Sequence, residues 1–157
     1  MIDEIDRQIV ALLQEDARLS NAAIAEQVGL TSSSVYDRVK KLERKGVIKG
    51  YVAVVDAESL NKSITAFIRL SVGSGFGGYL ESKQSVTSAC QAEPDVLECH
   101  GVAGEDCYIL KVRTANPNEL EKLIERIRCS AHVTRSITSI VLSTYKETQK
   151  IQPAGLV

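Results

Sequence analysis

The segment SNAAIAEQVGLTSSSVYDRVKKLERKG, residues 20–46, decides the fold of the first part of this chain. Ser20 is suited to cap a helix, and Gly29 follows eight residues of helical periodicity, where a glycine ends a helix with positive φ. Thr31 is suited to cap the next helix, over about 32–45. Two helices joined by a three-residue turn that contains glycine form the helix-turn-helix pattern.

Apolar spacing extends this unit in both directions. Isoleucines and leucines recur three and four residues apart over 3–15, which predicts a preceding helix. The run VIKGYVAVV at 47–55 predicts a strand that leads out of the unit. We therefore expect a winged helix-turn-helix domain over residues 1–50 and a strand with a polar linker over 51–63.

Composition limits the classes of protein that this chain can represent. Its 157 residues allow one domain or two small ones, and 19 basic against 20 acidic residues exclude a wholesale basic protein. The charge is uneven, because residues 38–49 hold six basic side chains and one acidic one. No apolar run is long enough for a membrane span, and residues 1–30 do not resemble a signal peptide. We expect a cytoplasmic protein with reduced cysteines.

The helix over 32–45 places this positive charge on one face. When Val35, Val39 and Leu42 point inward, a rotation of 100° per residue turns small polar and basic side chains outward. In a helix-turn-helix the early positions of the second helix reach base edges, and lysines and arginines contact phosphates. The alternative is a solvated helix face. The predicted DNA-binding residues are Ser32, Ser33, Ser34, Tyr36, Asp37, Arg38, Lys40, Lys41, Arg44 and Lys49.

Asp37 is unusual in this set because a carboxylate repels phosphate. It is suited to accept a hydrogen bond from a cytosine amine or to orient Arg38.

The second half of the chain predicts an α+β domain. Strand-like alternation and helical periodicity follow one another in the order βαββαβ, the ferredoxin-like arrangement. Asn116, Pro117 and Glu119 predict an N-cap, a first-turn proline and a capping-box partner. The elements are strands over 64–72, 95–102, 106–113 and 133–143, and helices over 79–92 and from 117. We assign the domain to residues 64–148 and a polar tail to 149–157.

One face of this sheet is expected to need a cover. Both helices of such a unit pack on the same face, and Phe67 and Ile109 are predicted to lie on the other. A second copy of the chain is the simplest cover, so we expect a homodimer.

Candidates for enzyme chemistry are weak. Gly73, Gly75 and Gly78 fit a dinucleotide-binding pattern, but the domain is short and lacks a doubly wound continuation, so a strand-to-helix loop is favoured. His100 and His132 show no metal-ligand spacing, and His100 is interpreted as a structural or interface residue. We predict no catalytic residue, no metal and no cofactor.

The chain resembles the Lrp/AsnC (leucine-responsive, feast/famine) transcriptional regulators over residues 1 to about 148. The resemblance is carried by the segment at 5–51, by VLECHGVAGEDCYILKV at 96–112 and by VTRSITSIVLS at 133–143. It implies a regulation-of-amino-acid-metabolism (RAM) domain after the helix-turn-helix, homodimers that assemble further, often into octamers, and an amino acid bound between subunits.

The resemblance also implies the residues of the effector site. The family's loop commonly reads glycine, any residue, aromatic, aspartate, tyrosine; here Gly104 and Tyr108 match, but Asp106 replaces the aromatic and Cys107 the aspartate. Glu105 or Asp106 is then expected to pair the effector's ammonium group. The implied set is Gly101, Val102, Gly104, Glu105, Asp106 and Tyr108, with Thr134, Ser136 and Thr138 from a neighbouring subunit. A plain turn with a core tyrosine is the alternative.

Three function classes follow. The first is a sequence-specific DNA-binding transcriptional regulator that responds to an amino acid or a related small molecule. The second is a tetrapyrrole (sirohaem) decarboxylase, since some AsnC-like proteins resemble this architecture; the basic helix and the two histidines argue against it. The third is a nucleoid-architecture protein that wraps DNA without a ligand.

Overall fold

The computed structural model describes residues 2–73, 78–130 and 133–155. Gly75 of the glycine-rich stretch and His132 lie outside these residues. The elements are α1 (Glu4–Glu15), α2 (Asn21–Val28), α3 (Ser32–Arg44), β1 (Ile64–Val72), α4 (Gly78–Ala92), β2 (Val96–Gly101), β3 (Tyr108–Thr114), α5 (Pro117–Ser130) and β4 (Val133–Ile140). They form two compact units, residues 2–54 with 146–155 and residues 55–145.

The first unit is a three-helix bundle with capped helices. Ser20 accepts a hydrogen bond from the backbone N–H of Ala23, and Thr31 accepts one from Ser34. Gly29 adopts φ 69°, the left-handed conformation that the sequence predicts at the turn. The unit's core of fully or almost fully buried residues is Ile9, Ile24, Ala25, Val35 and Leu42.

The prediction of a strand over 47–55 is wrong. This segment forms no strand in the structure, and Val52 and Val54 are 76% and 96% exposed. A strand is defined by hydrogen bonds to a neighbouring strand, and no other strand of the described chain pairs with this segment. The apolar character of 51–55 is therefore left facing solvent in the single chain.

The second unit is a four-stranded antiparallel sheet in the order β2-β3-β1-β4 with two helices, the ferredoxin-like arrangement that the sequence predicts. Both helices pack on one face, where Ile68 and Leu70 of β1 meet Val86 of α4 and Leu123 of α5. Asn116 accepts the backbone N–H of Glu119 at 3.0 Å, as predicted. The Glu119 carboxylate instead accepts a hydrogen bond from Lys122 at 2.9 Å.

The opposite sheet face, which we call the open face, is without a covering element in the described chain. Phe67 is 41% exposed there, with Lys111 and Ser139 beside it on the neighbouring strands. Arg69 lies one pair further along, between Ile109 and Ile137. β4 ends at Ile140, three residues before the predicted end of the strand.

The C-terminal segment over 146–155 belongs to the first unit. The side-chain amide of Gln14 on α1 donates to the carbonyl of Ile151 at 2.8 Å and accepts the N–H of the same residue at 2.7 Å. Lys150 adds an ion pair with Glu15 at 2.7 Å. The tail therefore lies against α1.

Candidate DNA-binding and effector sites

The outer face of α3 carries the candidate DNA-binding residues. Val35 and Leu42 are buried and Val39 is half-buried, so the opposite side of the helix faces solvent as the 100° rotation predicts. The exposed members of the predicted set are Ser32, Ser33, Ser34, Tyr36, Asp37, Lys40, Lys41, Arg44 and Lys49.

The first turn of α3 presents hydroxyl groups. The Thr31 hydroxyl, which caps the helix, lies 2.8 Å from the Ser34 hydroxyl and 3.1 Å from that of Ser33. Hydroxyls both donate and accept, and their short side chains allow close approach. This end of the helix is suited to hydrogen bonding at base edges.

A second group on this face surrounds Glu43. Its carboxylate accepts a hydrogen bond from Lys40 at 2.8 Å and another from the Tyr51 hydroxyl at 3.1 Å. The Lys40 hydrogen bond is the main cause that lowers the pKa of Glu43, and its counterpart raises the pKa of Lys40. The Lys40 ammonium also lies 5.9 Å from the centre of the Tyr36 ring. Glu43 therefore holds Lys40 and compensates part of its charge.

Arg38 is not directed outward with the rest of the predicted set. Its Nη1 atom lies 2.7 Å from Asp3 Oδ2 and 2.7 Å from Asp6 Oδ1, at the start of α1. Asp3 and Asp6 also form the capping box of that helix. The Arg38 hydrogen bond is the largest cause that lowers the pKa of Asp3. Arg38 thus ties α3 to α1, which the sequence-based assignment to DNA contact did not foresee.

The candidate effector loop joins β2 to β3. The Val102 N–H donates to the Cys107 carbonyl at 3.0 Å, and the Cys107 N–H donates to the Leu70 carbonyl of β1 at 2.8 Å. Gly104 adopts φ 148°, in the region that favours glycine. Tyr108 begins β3 and is only 3% exposed, within the sheet core.

The two acidic residues of this loop have different surroundings. Glu105 is exposed. The Asp106 side chain is 13% exposed, and its Oδ2 lies 3.4 Å from Nη1 of Arg69 on β1. The sequence did not predict that Arg69 lies beside this loop. The one indication in the sequence was a cationic residue at an outward position of a predicted strand.

Two hydroxyl residues of β4, Ser136 and Thr138, lie on the helix-covered face of the sheet. Ser136 and Thr138 pair with Leu70 and Ile68, whose side chains face the helices, and opposite residues of an antiparallel pair point to the same face. The Thr134 hydroxyl donates to the Ser71 carbonyl at 3.1 Å. Within one chain the hydroxyls of Ser136 and Thr138 are therefore separated from Arg69 by the sheet.

His100 and the cysteines form no metal cluster in the described chain. His100 lies 3.1 Å from Glu98 on the open face, and this hydrogen bond is the largest cause that lowers the pKa of Glu98. The described residues contain no group of three or more side chains arranged to hold a metal ion. Cys107 is half-buried, and burial raises the pKa of Cys90 to about 12.

Among the residues that the structure covers, no helix is both long and apolar enough to cross a membrane.

Comparisons with known proteins match both units. Residues 2–49 match the family described as winged helix-turn-helix DNA-binding, and residues 65–151 match the Lrp/AsnC ligand binding domain. The HTH-type transcriptional regulator FL11 of Pyrococcus horikoshii is 33% identical over 150 residues, covering 96% of this chain and 95% of that protein. The HTH-type transcriptional regulator LrpA of Mycobacterium tuberculosis is 35% identical over 146 residues, 92% of each.

A solved structure shows the same likeness. The transcriptional regulator NMB0573 of Neisseria meningitidis, in complex with L-Met, superimposes with a TM-score of 0.86 at 30% identity and covers 96% of each chain.

Proposed function

Since the chain belongs to the Lrp/AsnC family of transcriptional regulators, we propose that it reads double-stranded DNA through α3 and adjusts this binding to an amino acid. The DNA-binding role is supported by the exposed face of α3, which has hydroxyl groups at its first turn and lysine and arginine side chains at its last turns. This order is the one in which a recognition helix meets base edges and then phosphates. As a DNA-binding regulator it would act in the cytoplasm.

The DNA contacts divide into two kinds. We assign the exposed Ser32, Ser33 and Ser34 to base reading, with Tyr36 and Asp37 one turn further. We assign the exposed Lys40, Lys41 and Arg44 to phosphate contacts, together with Lys49, which follows the helix. Arg38 is left out of the proposed contacts because both of its carboxylate partners belong to α1.

The proposal includes a homodimer that forms through the open face. Phe67 and the flanking Ile109 and Ile137 lie on this face, and a second copy would remove them from water. A dimer carries two recognition helices, so two half-sites on one DNA would be held together. Higher oligomers, octamers among them, would multiply the number of helices that act on one stretch of DNA.

The proposed response to an amino acid is supported by the loop between β2 and β3 and by the similar regulator of Neisseria meningitidis, which was solved in complex with L-Met. Gly104 leaves the loop backbone open to a ligand, since nothing lies within 4 Å of where a Cβ would be. Ser136 and Thr138 lie on the helix-covered face of the sheet in the same chain, and we assign the part of the β4 hydroxyls in the site to a neighbouring subunit. A ligand held between copies would bind the assembled form alone and stabilise it by mass action.

The test uses the full chain in two steps. Binding sites are selected from random duplex DNA, and the enriched duplex is then titrated with the protein in the presence of each of the twenty amino acids. We expect enrichment of a two-fold symmetric sequence and a change of affinity with at least one amino acid. Lack of enrichment would contradict the DNA-reading role, and enrichment without any amino-acid effect would contradict the effector role.

A further inference from the structure

We propose that Cys90 and Cys99 form a redox-sensitive thiol pair, which a peroxide converts into a disulfide that joins α4 to the edge strand β2. This inference goes beyond the proposed function, because the pair lies outside both the DNA-binding face and the loop between β2 and β3.

The two cysteines face each other between α4 and β2. Cys90 lies in the last turn of α4 and is 5% exposed, within the core of the second unit. Cys99 is opposite Leu110 of β3, which is fully buried under the helices, and opposite residues of an antiparallel pair point to the same face. Cys99 therefore points toward the helices and packs against the same core as Cys90.

The surroundings of the Cys90 thiol include Cys99 as a direct neighbour. Burial, followed by a hydrogen bond with the Cys99 thiol, raises the pKa of Cys90 to about 12. All four cysteines of the chain are free. Two sulfur atoms in hydrogen-bond contact need only a short movement to reach the S–S bond length of about 2.0 Å.

The turn between α4 and β2 holds the two cysteines opposite each other. The Glu93 N–H donates to the Cys90 carbonyl at 3.4 Å, and the Val96 N–H donates to the Glu93 carbonyl at 3.1 Å. The Glu93 carboxylate also binds two nitrogen atoms of Arg126 on α5, at 2.7 and 2.8 Å. Because this chain reversal is already fixed, little conformational freedom remains to be lost when the sulfurs join.

A cavity of about 430 Å³ gives a small oxidant access to the pair. Cys90 and Cys99 both line it, together with the exposed Gln91, Pro94 and Leu97. The cavity lies at an edge of the sheet, because β2 is the outermost strand. Since both thiols lie on the helix-covered side, a second copy on the open face would leave them accessible.

Cys99 is the thiol that reacts first, because it is half-buried whereas Cys90 is buried and stays protonated at neutral pH. The Cys99 sulfur attacks hydrogen peroxide, so that an S–O bond forms and the O–O bond breaks. One water leaves with the Cys99 proton, and Cys99 becomes a sulfenic acid.

Cys90 completes the reaction. Its sulfur attacks the Cys99 sulfur, the S–S bond forms, the S–O bond breaks, and the hydroxyl leaves as water with the Cys90 proton. The two sulfurs together lose two electrons, which the peroxide gains. In a reducing cytoplasm such a disulfide would be transient, as is usual for redox-sensing pairs.

The experiment maps the disulfides of the full chain. The reduced protein is treated with a small excess of hydrogen peroxide, its remaining thiols are alkylated after unfolding, and the chain is cut after glutamates. Glu98 and Glu105 then separate Cys90, Cys99 and Cys107 into three peptides. We expect mass spectrometry to find the Cys90 and Cys99 peptides joined as the main product, and dithiothreitol to separate them.

The position of Cys107 provides an internal control. It is eight positions from Cys99, and Cys90 is nine positions away on the other side. A preference of Cys99 for Cys90 therefore reflects the fold and not the spacing along the chain.

Two variants locate the effect. Cys99→Ser is expected to leave Cys90 reduced and unlinked after the same treatment. Cys129→Ser removes an exposed thiol from α5 and is expected to keep the link between Cys90 and Cys99. A link that disappears in Cys129→Ser would show that it forms by exchange through another chain, which would overturn the proposal.

The wild-type map decides the matter even if a variant does not fold. A Cys90 thiol that stays unlinked, whether or not Cys99 is oxidised, would overturn the proposal. So would a Cys99 that is joined mainly to another cysteine.

Discussion

Arg38→Met is expected to destabilise the helix-turn-helix unit, although a basic residue on a recognition helix suggests a DNA contact. Arg38 bonds Asp3 and Asp6 at 2.7 Å each, and the Asp6 side chain is only 6% exposed. Removal of the guanidinium leaves the Asp6 carboxylate buried without its counter-charge. Breaking a fully buried pair costs about 3–5 kcal/mol, and one hydrogen bond to a charged group about 1.5–3 kcal/mol. Since the Arg38 side chain is 28% exposed, water screens its ion pair with Asp6. We therefore expect the substitution to lower the free energy of unfolding by about 2 kcal/mol.

The assay is thermal unfolding of the full chain, with hydrogen exchange in α1 and α3 to identify the affected unit. A loss of about 2 kcal/mol corresponds to a decrease in melting temperature of about 10 °C for a unit of this size. Arg44→Met makes the same chemical change at an exposed position of the same helix and is expected to leave the melting temperature nearly unchanged.

The loss also depends on pH. The pKa of Asp3 lies below its ordinary value of 3.8 in the folded chain because Arg38 bonds the ionised form. The part of the stabilisation that comes from Asp3 is therefore complete above that ordinary value and is lost as the pH falls through the lowered pKa. The difference in stability between wild type and Arg38→Met should begin to shrink, by this part, only below about pH 4. Equal melting of the two arginine variants at pH 7 would refute the structural role of Arg38.

Three further predictions concern the DNA face, the loop and the open face. Glu43→Gln removes the ion-pair partner of Lys40 and is expected to tighten DNA binding severalfold at low salt. Fluorescence anisotropy should show that this gain in affinity decreases as the salt concentration rises, and an unchanged affinity at low salt would contradict the prediction. Gly104→Val places a branched side chain at φ 148° and is expected to abolish any thermal shift with amino acids while leaving DNA affinity in their absence intact; a retained shift would count against the loop. Phe67→Lys is expected to give a monomer by light scattering at micromolar concentration, whereas Leu142→Lys, 95% exposed outside the sheet, stays dimeric; a dimeric Phe67→Lys would mean that another face holds the copies together.

The helix ends could be predicted from the sequence because caps are local. Ser20, Thr31 and Asn116 each bond a backbone N–H three residues later, so the signal lies within one helical turn. The outer face of α3 was predicted for the same reason, since helical geometry places every third or fourth residue on one side.

Strands could be predicted only where the chain supplies their partners. β1 was predicted with its correct ends, and it pairs with both β3 and β4. The segment over 47–55 has comparable apolar character but is not a strand in the single chain. Periodicity reports which side chains favour burial and does not report whether a neighbouring strand exists.

The contacts that could not be predicted from the sequence join residues that are far apart in it. Asp3 and Arg38 are 35 positions apart, and Gln14 reaches Ile151 over 137. The pairing of Arg69 with Asp106 likewise appears only when the β2–β3 loop folds back beside β1. Residue type and spacing cannot distinguish such internal ion pairs from charges that are available to a ligand.

The salt dependence of DNA binding by the Lys40→Ala/Arg44→Ala double variant tests the central claim most directly. Affinity for the selected duplex is measured by fluorescence anisotropy between about 50 and 200 mM salt and compared with wild type. Each lost phosphate contact lowers the slope of log K against log salt by about 0.9, so the loss of two contacts in each of the dimer's two recognition helices is expected to lower it by about 3.6, with the preference among sequences retained. Lys83→Ala/Arg128→Ala removes one lysine and one arginine from exposed positions of α4 and α5 and should keep the wild-type slope. Wild-type affinity and slope in the Lys40→Ala/Arg44→Ala variant would show that α3 is not the helix that reads DNA.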